Sequence, residues 1–242
     1  AWPTKFERYL YPTKQPLSYS TSFLDAILLC KYSELYSIVG FLFVLLSNKL
    51  KIAMILTENQ LKDLTLAADA ISETHQQTRH FSAGQRASVF LSHKHDEISQ
   101  LKRVAYILEN LHTSIYVDWL DNSMPKTTSG VTATKIKQQI KKYDKFILIA
   151  TDGAIDSKWC NWELGYGDAQ KFDLGKIALF PIAQNDGSWK GSEYMQIYPN
   201  IQYYFGTEKY SNGEWIPRGY YYRYKYKDGK FYLKKLYDWI IS

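Results

Sequence analysis

Apolar positions in this chain recur in two periods that alternate from residue 57 onward. Thr57-Glu58-Asn59-Gln60 has the Ser/Thr-x-x-Glu/Gln form of a capping box, and Leu61, Leu64, Ala68 and Ile71 follow at helical spacing. That spacing predicts a helix running to about residue 78. Gly84 leads into a short apolar run over 87–92 (ASVFLS), bounded by polar residues and read as a buried strand. Residues 96–111 are amphipathic, with Ile98, Leu101, Val104, Ala105, Leu108 and Leu111 on one face. The pattern then predicts a strand over 114–118, a loop rich in Ser, Thr, Pro and Asn over 121–130, and a helix over 132–143. A strand over 145–150 (KFILIA), a helix over 157–172, a strand over 176–183 (KIALFPIA) and a fifth strand over 201–205 complete the series.

Short apolar strands separated by amphipathic helices form βαβ units, and these require a mainly parallel sheet covered on both faces. The expected fold is therefore α/β, a three-layer domain over residues 85–206 with a central sheet of about five strands. Residues 54–84 read as an N-terminal helix and linker. From residue 207 the chain changes character: 220–226 alternates Tyr with Arg or Lys, Asp228-Gly229 is a hairpin signal, and Leu233, Leu236, Tyr237 and Ile240 fit a closing helix. This Tyr-rich extension, 207–242, is expected to pack on the domain.

Residues 1–53 are set apart by an uncharged apolar run over 35–48 (LYSIVGFLFVLLSN), flanked by Lys49 and Lys51 and preceded by a shorter apolar stretch from Ala26. Fourteen residues fall short of the roughly 20 needed to cross a bilayer. No small-residue cleavage site follows, so a signal peptide is disfavoured. Three readings remain: a helix buried or covered by a partner, membrane contact by residues 24–48, or an extension with no role of its own before Met54.

Composition narrows the function classes. The formal net charge is a mild +6, and the basic residues are scattered rather than gathered into a stripe, so no nucleic-acid partner is expected. Two cysteines, Cys30 and Cys160, lie too far apart in sequence to suggest a disulfide framework or a zinc site. They fit a reducing, cytoplasmic setting. His93-Lys94-His95-Asp96 approaches the metal-binding run of metallo-β-lactamase-type hydrolases, but Asp96 comes one place early and no His follows. His75, His80 and His112 lie on no strand end, so no metal site is assigned. Gly165-Tyr166-Gly167 falls inside a helix rather than in a strand-to-helix turn, and is no phosphate fingerprint.

The most informative segment is Ser157-Lys158-Trp159-Cys160-Asn161-Trp162-Glu163-Leu164. As a helix it places Glu163 one turn after Trp159, on the same face, and starts at the carboxyl edge of the expected sheet. Ligands of open α/β sheets bind at that edge. A single carboxylate beside an aromatic wall suits a reaction that builds positive charge on a sugar. The alternative for Glu163 is a solvated helix residue paired with a nearby Lys. Trp159 is either a stacking wall or a core residue, and Trp162 points elsewhere and is read as structural.

Four elements in order, with the loop between two of them, resemble a TIR domain of the bacterial kind. Val89-Phe90-Leu91-Ser92-His93 matches the first strand and Ile115-Tyr116-Val117-Asp118-Trp119 the second. The loop around Pro125 is similar to the family's BB loop. Phe146-Ile147-Leu148-Ile149-Ala150-Thr151 resembles the third strand, and the Glu163 segment the third helix. The resemblance spans 87–183 and leaves residues 1–53 and the Tyr-rich tail outside it. It implies a flavodoxin-like fold and one of two roles. Enzymatic members cleave the bond between nicotinamide and ribose in NAD+, giving nicotinamide with ADP-ribose or a cyclised ADP-ribose, as in bacterial antiphage defence. Others act only as scaffolds through TIR–TIR self-association.

Glu163 holds the position of the family's catalytic glutamate, which implies the enzyme, with NAD+ as substrate and no resident cofactor. Further substrate contacts are expected from Phe90, Ser92, His93 and Lys94 at the end of the first strand, from Asp118, Trp119 and Asp121 after the second, and from Trp159. The resemblance also implies a homo-oligomer and a downstream effector that senses the product. Tyr220, Tyr222 and Tyr224 are either a stacking surface for adenine or a packed hairpin. Hydrolysis and cyclisation are not separable at this level, because water and adenine would attack the same cation.

Overall fold

The computed structural model describes residues 8–10 (as backbone), 55–66, 87–117, 130–191 and 193–242. The apolar run over 35–48 with the possible membrane contact over 24–48, the remainder of the predicted helix and the linker over 67–84, and the loop over 121–129 lie outside the described residues. Among those described, no helix is long and apolar enough to cross a membrane.

Nine strands make up the sheet among the described residues: β1 (Arg8–Leu10), β2 (Leu56–Thr57), β3 (Ala87–Ser92), β4 (Thr113–Tyr116), β5 (Lys145–Ala150), β6 (Ile177–Ala183), β7 (Asn200–Tyr204), β8 (Gly219–Lys225) and β9 (Phe231–Lys235). They run in the order β1-β9-β8-β7-β6-β5-β3-β4, with β2 beside β6. The five strands β4-β3-β5-β6-β7 are parallel, which is the mainly parallel sheet that the alternating pattern predicts. In chain order these five follow the doubly wound arrangement 2-1-3-4-5, whose switch point lies between the first and third strands, here β3 and β5.

Six α-helices among the described residues cover the sheet: α1 (Glu58–Leu64), α2 (Ile98–Glu109), α3 (Gly130–Lys142), α4 (Asp152–Asp156), α5 (Lys158–Lys171) and α6 (Leu236–Ile240). The capping box is realised: Thr57 Oγ1 accepts from the Gln60 amide while the Gln60 side chain accepts from the Thr57 amide. Helix α1 ends at Leu64, where Thr65 turns its hydroxyl back onto the Leu61 carbonyl at 2.6 Å; the predicted run beyond residue 66 lies outside the described residues. Helix α4 is not visible in the hydrophobic pattern; Thr151 starts it by accepting from the Ala154 amide.

Among the described residues the two larger of three core clusters lie one on each sheet face, as the period-2 alternation of the strands requires, and a smaller one gathers Tyr204, Ile216, Tyr221 and Leu233. Val89, Leu91, Ile147, Ile149, Phe180 and Ile182 face α1, α2 and α6. Phe90, Phe146, Leu148, Ile177 and Leu179 face α3 and α5. The β6 edge is shared: β7 pairs at Leu179, and β2 takes over at Ile182 and Ala183.

The Tyr-rich extension continues the same sheet in antiparallel fashion through β8 and β9. Its turn closes with the Tyr226 amide on the Lys230 carbonyl at 2.8 Å, and Gly229 takes the left-handed φ of 80° that this loop needs. Tyr222 is buried and stacked on Trp239 at 4.6 Å, and Tyr220 packs on Tyr203 at 4.7 Å. Burial pushes both phenols well above their ordinary pKa. Strand β8 is four places from β3, roughly 19 Å at 4.8 Å per strand. These tyrosines are packed hairpin, and the adenine-stacking alternative does not hold for them.

Candidate active site

Helix α5 is fixed before its carboxylate is considered. Ser157 caps it by accepting from the Cys160 amide at 3.3 Å. Asn161 donates to the Ile155 carbonyl at 2.8 Å and accepts from the Tyr194 hydroxyl at 2.7 Å, tying α5 to α4 and to the 3-10 turn Glu193–Ile197. Cys160, Glu163, Leu164, Gly167 and Lys171 form its buried face. Glu163 thus sits in the middle of the stripe that packs on the sheet, and it is only 3% exposed. Carboxylates are rarely buried in this way unless partnered. The solvated alternative for Glu163 is therefore excluded.

One partner is Ser92, the last residue of β3, whose hydroxyl donates to Glu163 Oε2 at 2.5 Å. Ser92 pairs in register with Leu148 of β5, so the Ser92–Glu163 contact stands at the carboxyl ends of the two switch-point strands. Sequence positions 71 apart meet there because β3 and α5 lie against each other on one sheet face.

Other sequence-predicted residues separate into three groups. Phe90 is 1% exposed and sandwiched between Tyr116 and Phe146, at 5.5 and 5.6 Å. Both its faces are taken by core rings, so it is not a substrate contact. His93 is also buried, its ring stacked on His95 at 5.8 Å and its carbonyl facing the Cys160 thiol. Lys94 is half-buried at the rim and paired with Asp96 at 2.9 Å, a hydrogen bond that raises the pKa of Lys94 and lowers that of Asp96. Asp118, Trp119 and Asp121 lie outside the described residues.

Trp159, half-buried one turn before Glu163, stacks on Trp162 at 5.0 Å, and Trp162 stacks on Tyr166 at 6.3 Å. Lys137 of α3 stands 5.0 Å above the Tyr166 ring. Trp162 therefore belongs to the same ladder as Trp159 rather than pointing away from it.

The structure adds residues that the sequence pattern did not mark. Thr151 donates to Glu97 Oε2 at 2.5 Å while capping α4, joining the β3–α2 loop to the end of β5. Burial raises the Glu97 pKa, opposed by the Thr151 hydrogen bond. Gly153 makes room for this clasp, since a Cβ there would stand 2.3 Å from Glu97 Oε1. Trp189 donates its indole N–H to the Ala150 carbonyl at 2.6 Å and covers the carboxyl end of β5. The loop that bears it is pinned by the Lys190 amide on Asp152 and by the Lys190–Asp156 ion pair. A lone Gly after a strand was the one sequence signal for the clasp.

Comparison with known proteins agrees with this geometry. The chain is 28% identical over 117 residues to a protein of Bacillus cereus (strain MSX-D12) named probable 3' cyclic ADP-D-ribose synthase ThsB', an alignment covering 47% of this chain and 59% of the relative. It is 31% identical over 101 residues to a putative cyclic ADP-D-ribose synthase TIR2 of Cytobacillus dafuensis, covering 40% of this chain and 25% of that relative. The chain thus spans only part of the length of either. The TIR domain profile matches residues 89–209, half of the chain, and takes in β3 through β7 with Ser92 and Glu163. With the parallel order and the buried switch-point carboxylate already in place, the chain belongs to the TIR domain family.

Proposed function

We propose that this chain is a TIR-type NAD+ nucleosidase that breaks the nicotinamide–ribose bond and releases nicotinamide with ADP-ribose or a cyclised ADP-ribose. The observation that carries the reading is Glu163: a carboxylate buried on the sheet-facing stripe of α5, at the switch point, held by Ser92. The names of the two relatives, both cyclic ADP-D-ribose synthases, support the substrate and favour a cyclised product.

The chemistry needs no more than one carboxylate. Nicotinamide in NAD+ is a pyridinium, so when the C–N bond breaks its electron pair returns to the ring nitrogen and the leaving group departs neutral. No acid is required to protonate it, in contrast to the paired carboxylates of ordinary glycosidases. Positive charge develops on the ribose as an oxocarbenium ion. Glu163 stabilises that charge and accepts hydrogen bonds from the ribose hydroxyls, an electrostatic contribution worth several kcal/mol in a site away from water. Trp159, one helical turn away, walls the sugar and nicotinamide. Water captures the cation to give ADP-ribose, and a nucleophile of the same molecule captures it to give the cyclised product, with loss of a proton in either case. In this reading the active unit is an assembly of like chains, and its product is a messenger to a partner in bacterial defence.

The test is NAD+ consumption at high protein concentration, wild type beside Glu163→Gln, with products separated by chromatography and mass. Free nicotinamide from the wild type, reduced roughly 100-fold or more in the variant, is the expected result. ADP-ribose and its cyclised form differ by one water and are told apart in the same experiment. No turnover by the wild type would overturn the enzyme in favour of a scaffold.

A further inference from the structure

Glu163 is held from two directions. Its helix is seated on the sheet through Gly167, where a Cβ would stand only 2.9 Å from the Phe146 ring, so α5 approaches β5 as closely as a helix without a side chain allows. Its carboxylate is held separately, by a hydroxyl on β3, and β3 is an interior strand with β4 on one side and β5 on the other. Ser92 is 2% exposed. A serine hydroxyl has one proton to donate, and here that proton points at Glu163 Oε2.

From this geometry we infer that Ser92 is a positioning residue for Glu163, fixing the plane of the carboxylate against the reacting sugar, rather than a substrate contact. The inference rests on the proposed NAD+ cleavage for its kinetic consequences. A carboxylate on an apolar helix face has several rotamers of similar packing. A charge-assisted hydrogen bond from a rigid strand selects one of them. Misplacement of a reacting group by about 1 Å costs on the order of 100-fold in rate. The loss should fall on kcat, because Ser92 acts through Glu163 and does not itself bind NAD+.

The experiment compares wild type, Ser92→Ala, Ser92→Thr, Glu163→Gln and the Ser92→Ala/Glu163→Gln pair, each checked for its melting temperature. Ser92→Ala should lower kcat by about 10- to 100-fold with KM changed by no more than about 2-fold. Ser92→Thr, which keeps the hydroxyl and suits a strand, should recover most of that loss; Ser92→Cys replaces it if the extra methyl unfolds the core. The double variant should match Glu163→Gln alone, since removing the hydroxyl has nothing left to act through. Full kcat in Ser92→Ala, a raised KM at unchanged kcat, or an additive loss in the double variant would overturn the inference. The carboxylate stretch of Glu163, identified in the infrared by its loss in Glu163→Gln, should shift in Ser92→Ala. If the wild type cleaves no NAD+, the proposed function fails, and this band alone decides whether Ser92 holds the carboxylate.

Discussion

Gly167 lies flat against the ring of Phe146, 2.9 Å from where its Cβ would be. Phe146 is fully buried between β3 and β6, so its ring has no room to retreat. Gly167→Ala would gain up to about 1 kcal/mol in helix propensity but incur about 1–3 kcal/mol of overpacking. The second effect should win, lowering stability and displacing Glu163 with its helix. Gly165, two residues away on the exposed face, has nothing within 4 Å of its would-be Cβ. Gly165→Ala should therefore stabilise by about 0.5–1 kcal/mol. Urea titration of the two variants checks the opposite signs.

The aromatic ladder predicts an order of effects. Trp159→Ala removes one stack and Trp162→Ala removes two. At about 0.5–1.5 kcal/mol per aromatic pair beyond area burial, Trp162→Ala should destabilise more. Trp159→Ala should instead show its larger effect on KM for NAD+. Equal melting temperatures for both variants would contradict the ladder.

Thr151 performs two tasks with one hydroxyl. Thr151→Val keeps the shape and loses both the cap on α4 and the hydrogen bond to Glu97. A cap is worth about 1 kcal/mol and the stranded carboxylate about as much again, so a loss of about 2 kcal/mol is expected. Gly153→Ala should break the clasp from the other side, because its Cβ would meet Glu97 Oε1 at 2.3 Å and Lys94 Cδ at 3.0 Å. Denaturation of the two single variants and the pair should show sub-additive losses.

Lys145 supplies a pH dependence of stability. It is 2% exposed and donates to the Ser242 carbonyl at 2.9 Å. Burial, reinforced by the charges of Lys176 and Lys234, lowers its pKa from 10.5 to about 8. The unfolded chain therefore holds this proton over a pH range where the folded chain has released it. Stability should rise with pH through about 8, by about 2 kcal/mol at pH 9.5, and the slope should vanish below about pH 7, where both states are protonated. Above pH 10 the buried tyrosines, whose raised pKa values act in the opposite sense, oppose the rise. Urea titrations of wild type and Lys145→Met across this range test it; a flat wild-type profile would refute it.

Periodicity located the strands that are apolar throughout, and 87–92 and 145–150 are the observed β3 and β5 residue for residue. Helix α4 escaped because Asp152-Gly153 looks like a turn, and only the Thr151 hydroxyl shows that a helix begins there. Phe90 is expected as a substrate contact from its place near a strand end. One pleat deeper than Ser92 on the same face, it meets Tyr116 and Phe146 instead. The position of Glu163 on a helix was legible, but its burial was not. Cys160, Leu164 and Gly167 are small or apolar neighbours at the right offsets, yet only the closeness of α5 to β5 turns that face inward. Lys145 opens the predicted strand 145–150, and nothing in the pattern marks it as buried. It is buried because the C-terminal segment folds back over it, bringing the Trp239 ring to 5.0 Å.

The wedge that β2 fills beside β6 has a consequence for how this protein is trimmed. Leu56 and Leu61 precede the segment matched by the family and pack with Phe180 and Ile182; Leu236, Trp239 and Ile240 follow it and cover Tyr203 and Tyr222 in the same core. A fragment cut at 89 and 209 would keep α2 on that side of the sheet but open to water the part that α1 and α6 cover. What similarity recognises and what holds together as a solid are different lengths of the same chain. A panel of such fragments assayed side by side would report a missing wall as missing chemistry.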